Sequence, residues 1–250
     1  MILLLGGTSE SLTVADFLTA QHHSFILTVT TDYGRDLASA HATQVVKCLF
    51  TADTLKHFIQ QRNVTLILDA THPFARVISK LAMAVAEQTG TPYLRFERRL
   101  VYPQDQGVTL VDDFAAACVR LKQIAGTIYL STGSKTAADF ATEVGLDRLH
   151  VRVLPTTTVL AKLTAAGFDA TQIDAIRGPF TTALNVELFR RAHAAVVVTK
   201  ESGKQGGVQE KIAAAQQLKI PCLVIRRPVM TYPQQVSDVP ALAKFLEVTP

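Results

Sequence analysis

The stretch Asp69-Ala70-Thr71-His72-Pro73-Phe74-Ala75 places a carboxylate, a hydroxyl and an imidazole within one short loop. Such groups can orient a reactant, deliver a proton or hold a ligand through hydrogen bonds. They can equally cap a helix, with Asp69 satisfying nearby backbone donors. The elements that would position them are legible on both sides. Val64-Thr65-Leu66-Ile67-Leu68 is a β-branched and aliphatic run of strand length, suited to burial on both faces. Beyond the loop, Phe74, Val77, Ile78, Leu81 and Val85 recur at helical spacing, and Gly90 and Pro92 close the pattern. Pro73 suits the first helical position, where a missing N–H costs nothing, which puts His72 at or beside the N-cap. Polar groups at the carboxyl end of a parallel strand, facing a helix N-terminus, are where open α/β sheets bind ligands.

Comparable junctions recur along the chain. Gly6-Gly7-Thr8-Ser9 separates an apolar strand, Met1 to Leu5, from a helix on Leu12, Ala15 and Leu18. Glycines admit a phosphate close to the backbone, and a helix N-terminus supplies donors and the positive dipole end. The loop departs from G-x-G-x-x-G, and a strand-to-helix turn can need glycine for its own geometry. After a second strand, Phe25 to Thr30, the run Thr31-Asp32-Tyr33-Gly34-Arg35 stands about where a Rossmann unit reads the adenosine ribose. Asp32 would accept a 2′-hydroxyl proton and Arg35 would bind a 2′-phosphate. The two residues point to different cofactors, and each can also be a solvated loop residue.

In the second half, three expected strand ends carry polar clusters. They are Ser131-Thr132-Gly133-Ser134-Lys135, Arg177-Gly178-Pro179-Phe180, and Thr199-Lys200-Glu201-Ser202-Gly203 followed by Gly206, Gly207 and Lys211. Hydroxyls, glycine N–H groups and cations at matching ends make an anion-accepting rim. Other chemistries lack their motifs: no Tyr is followed four positions later by Lys, and there is no G-x-S-x-G, P-loop lysine or H-E-x-x-H. Cys48, Cys118 and Cys222 are scattered singly, without metal or redox spacing, and no metal site is expected.

The elements form a regular βαβα alternation, which predicts parallel sheets with right-handed crossovers. With 250 residues, two α/β domains are expected, divided near the charged segment Arg98 to Asp105: residues 1–100 and 101–250. After the second strand a polar loop is expected, and a last helix near Pro240 to Glu247 should pack back on a sheet. Hydrophobic content of 48% with 18% charged residues fits a well-packed protein. The short apolar start predicts neither signal peptide nor membrane span, hence a cytoplasmic protein. A net charge of +4, dispersed and without interleaved aromatics, favours small anionic ligands over nucleic acid.

On Leu4-Leu5-Gly6-Gly7-Thr8, Asp69 to Ala75, Arg177 to Phe180, Thr199 to Gly203 and Ile225-Arg226-Arg227-Pro228, in that order, the sequence resembles the precorrin-6A reductase family of cobalamin biosynthesis. The resemblance implies two Rossmann-like domains with a ligand cleft between them, a nicotinamide cofactor and a tetrapyrrole polycarboxylate substrate. The reaction would reduce the C18=C19 double bond, hydride going to C19 and a proton to C18. Asp69, Thr71 and His72 would then act at the reaction centre, with His72 and Asp69 affecting turnover more than stability. Gly6 to Ser9, Thr31 to Arg35, Pro73 and Phe74 would face the cofactor. Thr132 to Lys135, Arg177 to Phe180, Lys200, Ser202, Gly206, Gly207 and Lys211 would face the substrate. The Thr-x-Tyr-Gly pattern at Thr31 to Gly34 looks more like the anaerobic branch, which implies cobalt-precorrin-6A and NADH. The alternatives are NADPH with metal-free precorrin-6A, as in the aerobic branch, or a non-catalytic dinucleotide-binding protein of the same fold.

Overall fold

The computed structural model describes residues 1–97, 107–202 and 206–248. In chain order the elements begin with β1 (Ile2–Leu5), α1 (Ser9–Ala20), β2 (Phe25–Val29), α2 (Asp32–Ala38), β3 (Val45–Lys47), α3 (Ala52–Gln61), β4 (Leu66–Asp69), α4 (Arg76–Thr89) and β5 (Tyr93–Phe96). There follow β6 (Val108–Val111), α5 (Phe114–Leu121), β7 (Thr127–Leu130), α6 (Ala137–Val144), β8 (Leu149–Val153), α7 (Thr157–Ala165), β9 (Ile173–Ala175), α8 (Thr182–Arg191), β10 (Ala194–Lys200), α9 (Val208–Leu218) and β11 (Cys222–Ile225). The chain closes with β12 (Gln235–Val236) and α10 (Val239–Val248). It divides into two units, Met1–Arg99 with Val229–Pro250, and Leu100–Pro228.

In the first unit a parallel sheet runs β12-β5-β4-β1-β2-β3. Both faces of its central strands are apolar, as parallel sheets require, and side chains alternate between them. Leu3, Leu5 and Ile67 pack with Leu55, Ile59, Ala82 and Val85. Ile2, Leu4 and Leu68 pack on the other face with Val14, Leu18 and Leu242. From β1 the chain builds outward through β2 to β3, then returns to β4 and builds the other way. The order reverses between β1 and β4, as in the Rossmann arrangement, and the crevice beyond their carboxyl ends is the ligand position such sheets provide. The second unit is a parallel sheet ordered β6-β11-β10-β7-β8-β9. Its order reverses between β7 and β10.

Four features differ from the sequence expectations. The strand before the organising loop is Leu66–Asp69, because Ile2 to Leu5 pair in register with Leu66 to Asp69. The following helix begins at Arg76, with Ala75 as its N-cap, so Pro73 lies in a turn closed by Ala75 N–H donating to His72 O at 2.7 Å. Its far end is as expected, with Gly90 left-handed at φ 67°. Thr31 to Ala38 holds a helix, α2, because the Thr31 hydroxyl accepts from Gly34 N at 3.0 Å and caps it. Finally, the C-terminal stretch belongs to the first unit, so the second domain is not 101–250. Gln235 and Val236 pair with Arg95 and Phe96, and Leu242, Val239, Phe245 and Leu246 cover Ile2, Leu4 and Leu94. The physical cause is the sheet face over β1, β4 and β5, which needs an apolar helix to cover it. Arg98 to Asp105 and Gly203 lie outside the described residues. Among the described residues no helix is long and apolar enough to cross a membrane.

Candidate functional site

At the β1–β4 switch point the two glycines do different things. Gly6 donates from its N–H to Thr28 O at 2.9 Å, and a Cβ there would meet Leu27 Cδ1 at 2.5 Å, so it is a packing glycine. Gly7 has φ 100°, and a Cβ there would meet nothing within 4 Å. Open space thus lies beside a backbone that leads straight into α1. Thr8 caps that helix in a box with Ser11: Ser11 N donates to Thr8 Oγ1 at 3.0 Å and Thr8 N to Ser11 Oγ at 3.2 Å. The Thr8 hydroxyl also donates to Ala70 O at 2.8 Å, tying this loop to the one after β4. Exposed Gly7 and Ser9 therefore stand at a helix N-terminus beside the Asp69 loop, a geometry suited to a pyrophosphate.

Asp69 itself is fully buried, and both carboxylate oxygens are engaged. Oδ1 accepts from Thr71 N at 2.9 Å, Thr71 Oγ1 at 2.6 Å and Arg95 Nη1 at 2.8 Å; Oδ2 accepts from Ser79 Oγ and Tyr93 OH, each at 2.6 Å. Burial alone would push this carboxyl up. Arg95 and the hydroxyl donors outweigh it and hold the group below the ordinary carboxylate range. Arg95 is 1% exposed and completes its own pairing with Glu97 Oε2 at 2.8 Å. Asp69 and Thr71 thus shape the loop from beneath and do not present their polar atoms to a ligand. His72, the next residue, is half-buried where Asp69 and Thr71 are buried. Its Nδ1 accepts from Phe74 N at 3.2 Å, so the neutral ring carries its proton on Nε2. Its ring lies 5.7 Å from that of Phe74.

The loop after β2 is arranged differently from a carboxylate waiting for a ribose. Lys47 Nζ from β3 bonds both Asp32 oxygens at 2.8 Å, and Arg35 Nη1 is 3.4 Å from Oδ1. The Lys47 bond holds the exposed Asp32 carboxyl below its ordinary value. Thr31 is occupied as a cap, Tyr33 and Arg35 are exposed, and Gly34 is tucked against Thr31 and Val29.

In the second unit the β7–β10 switch point joins two of the three polar clusters. Lys200 Nζ donates to Thr132 O at 2.9 Å, and Ser131 Oγ donates to Val198 O at 2.9 Å. Gly133, at φ 82°, and Ser134 are half-buried there, Lys135 is exposed, and Ser202 accompanies Lys200. Arg177 to Phe180 follows β9, at the sheet edge two strands from β7, so that cluster stands apart in the topology. Arg177 and Pro179 are exposed, and the Phe180 ring lies 4.0 Å over the Arg152 guanidinium. Lys211 is not a rim cation as expected. It is buried, with Nζ donating to Gly206 O at 2.7 Å and Thr199 Oγ1 at 3.3 Å, and burial followed by Arg152 pulls it down to about 7. Gly206 and Gly207 lead into α9, with Gly207 left-handed at φ 62°.

Arg95, Tyr93, Ser79, Glu97 and Lys47 were missed by sequence reasoning. One signal was available: an Arg inside the buried strand Tyr93-Leu94-Arg95-Phe96 demands a buried partner, and Asp69 at the adjacent strand end is the nearest candidate. Nothing local marks Ser79 or Lys47.

Two parallel α/β units, the first with the Rossmann strand order and a glycine loop at its switch point, define a nucleotide-binding type of enzyme architecture. More narrowly, the chain belongs to the precorrin-6x reductase CbiJ/CobK family, whose profile matches residues 1–247. It is 34% identical over 246 residues to a cobalt-precorrin-6A reductase of Methanocaldococcus jannaschii, covering 98% of this chain and 97% of that one. A cobalt-precorrin-6A reductase of Priestia megaterium is 35% identical, at 93% and 92% coverage. A precorrin-6A reductase of Rhodobacter capsulatus is 31% identical, at 92% and 88%. Among solved structures, a CobK precorrin-6A reductase superposes with a TM-score of 0.80 at 26% identity, covering 98% of this chain and 96% of that one. The protein is accordingly an oxidoreductase of this family.

Proposed function

We propose that the protein reduces the C18=C19 double bond of cobalt-precorrin-6A with NADH bound at the β1–β4 switch point. The observation that carries this is the Thr8 hydroxyl bond to Ala70 O, which sets the glycine loop and the His72 loop side by side. Open space over Gly7 and the donors of the first turn of α1 fit a pyrophosphate, and Pro73 and Phe74 fit the approach of a flat ring. When bound, a reduced nicotinamide would supply hydride for C19, with the proton for C18 drawn from solvent. His72 orients the reacting groups from its Nε2 edge, and Thr71 and Asp69 hold the loop. The test is anaerobic turnover with cobalt-precorrin-6A and precorrin-6A, each with NADH and NADPH; a clear preference for the metal-free substrate with NADPH refutes this choice of branch.

Gly7→Val should weaken reduced-nicotinamide binding about tenfold or more, equivalent to about 1.4 kcal/mol. Any Cβ at φ 100° also strains the backbone by about 1–3 kcal/mol. Gly7→Ala shares that strain with less bulk, so the Val-minus-Ala difference in a fluorescence titration isolates the steric contact. Equal affinities for both variants and wild type move the cofactor away from this loop.

The choice of NADH rests on the resemblance of the Thr31 to Gly34 pattern to the anaerobic branch and on Asp32, whose carboxylate at the end of β2 would repel a 2′-phosphate. Lys47 and Arg35 weaken that repulsion, which is the one observation favouring the NADPH alternative. Removing the carboxylate releases Lys47, while Arg35 keeps its pairing with Asp36 Oδ1 at 3.3 Å. Asp32→Ala should therefore shift the NADPH-to-NADH ratio of kcat/KM about tenfold toward NADPH. A ratio unchanged by the substitution would place the adenosine ribose elsewhere.

The acetate and propionate arms of the substrate suit the second unit, where Lys135 and Arg177 are exposed. Lys135→Ala and Arg177→Ala should each raise KM several-fold and leave cofactor affinity unchanged, because an exposed charge-assisted bond is weakened by solvent. The opposite pattern, cofactor affinity lost and KM kept, would reverse the roles of the two units.

A further inference from the structure

We infer that Arg95 is a positioning residue for the His72 loop, acting through the ionisation of Asp69, and that Tyr232 from the C-terminal return completes that device. The inference rests on the reading of the His72 loop as the reaction centre.

The geometry is a relay of contacts, buried at Asp69 and Arg95 and half-buried at Glu97 and Tyr232. Asp69 accepts from Thr71 N, Thr71 Oγ1, Ser79 Oγ and Tyr93 OH, and it can accept from all four only as a carboxylate. A protonated carboxyl would have to donate from one oxygen, so one of the Thr71, Ser79 or Tyr93 hydroxyls would have to reverse and turn its own proton elsewhere, and the charge attraction to Arg95 that fixes the loop would be lost. Arg95 prevents this by placing Nη1 2.8 Å from Oδ1 and 3.2 Å from Thr71 Oγ1. The guanidinium is held in turn by Glu97 at 2.8 Å on its other edge. Its face is covered by the Tyr232 ring, 5.3 Å from Cζ, and that ring is stacked on Tyr93 with centroids 6.4 Å apart. Tyr232 precedes β12, whose neighbour Gln234 accepts from Arg95 N at 2.9 Å, so strand pairing delivers the ring to the guanidinium. Among the described residues, the charged and titratable groups facing Asp69 are Arg95 and Tyr93 from β5 and Tyr232 from the C-terminal return; Glu97 bears on it through Arg95 and through its bond with Tyr232, and α4 contributes the Ser79 hydroxyl.

The experiment measures kcat against pH, at saturating substrate and reduced nicotinamide, for the full-length Arg95→Gln, Arg95→Lys, Tyr232→Leu and Tyr232→Phe variants. The Asp69 carboxyl signal is followed in parallel by carbon NMR. Arg95→Gln should acquire an acidic limb that wild type lacks, with kcat recovering at higher pH as Asp69 ionises, and the NMR midpoint should rise with it. Arg95→Lys should remove most of that limb. Tyr232→Leu should show a smaller displacement in the same direction, and Tyr232→Phe, which keeps the ring over Arg95 but gives up the hydroxyl bond to Glu97, should show less of it than Tyr232→Leu. A merely structural role would lower stability without creating a new ionisation, so Arg95→Gln with a wild-type pH profile overturns the inference. Should Arg95→Gln not fold, Tyr232→Leu decides: a raised Asp69 midpoint supports the device, and an unmoved one overturns it. Failure of the underlying reading looks different, because His72→Ala would then turn over normally while the Asp69 midpoints still moved.

Discussion

Asp69→Asn should destabilise the protein by roughly 3 kcal/mol, the low end of the cost of breaking a buried ion pair, because Arg95 loses Asp69 but keeps Glu97 as a counter-charge. The magnitude applies because Asp69 is 0% and Arg95 1% exposed, so solvent screens neither. The amide also has an N–H2 group where Ser79 and Tyr93 now donate, and those bonds cannot all be kept. Turnover should fall as well, since the loop carrying His72 loses its anchor. A chemical denaturation midpoint and kcat at the same pH read the two effects. The same carboxylate predicts an acid dependence. Its pKa is lowered on folding, so its contribution to stability is complete above the unfolded carboxylate range and is lost as pH falls through the folded value. Wild type should therefore lose stability on acidification over that window more steeply than Asp69→Asn, and parallel curves would show that the pair is not coupled to folding.

The second large effect is expected at His72. His72→Ala should lower kcat about a hundredfold, the order associated with losing an orienting or proton-handling group at the reaction centre. Its stability should change by less than that of Asp69→Asn, because the His72 ring is half-buried where Asp69 is fully buried. The sequence places Asp69 and His72 in one class, both acting on turnover more than on stability. The structure separates them: Asp69 is part of the buried framework and His72 is the group it supports. A His72→Ala variant with normal kcat and a markedly lower denaturation midpoint would return His72 to a local turn role.

The strands and their sheet were legible because parallel strands buried on both faces write themselves as apolar runs, and the expected strands Met1 to Leu5 and Phe25 to Thr30 fall within one residue of the observed Ile2–Leu5 and Phe25–Val29. The site loops were legible for the same reason, since each follows such a run. Helix starts were less so. Pro73 satisfies the rule for a first helical residue, yet the Ala75 bond to His72 O inserts a turn first, just after Thr71 is held by Arg95 from β5. Long-range polar pairing was least legible. Lys47 on Asp32 and Arg95 on Asp69 join residues 15 and 26 positions apart, and Lys211 looked like a rim cation because its burial depends on α9 packing against β10.

The pairing of β12 with β5 also bears on how the protein is made. The second unit is an insertion in the first, entering after β5 and leaving before β12, so the first unit is discontinuous in sequence. A ribosome delivers residues from the N-terminus, which means β1 to β5 emerge long before the segment that finishes their sheet. Until Gln235 to Val248 arrive, the β5 edge has no strand beside it and Leu4, Leu68 and Leu94 lack the apolar cover of α10. An uncovered edge beside an apolar face is a template for wrong pairing between nascent chains. The middle of the gene product can thus fold as a closed piece while its beginning waits for its end, and chains halted between Pro228 and Tyr232 should be the ones that aggregate and call on chaperones.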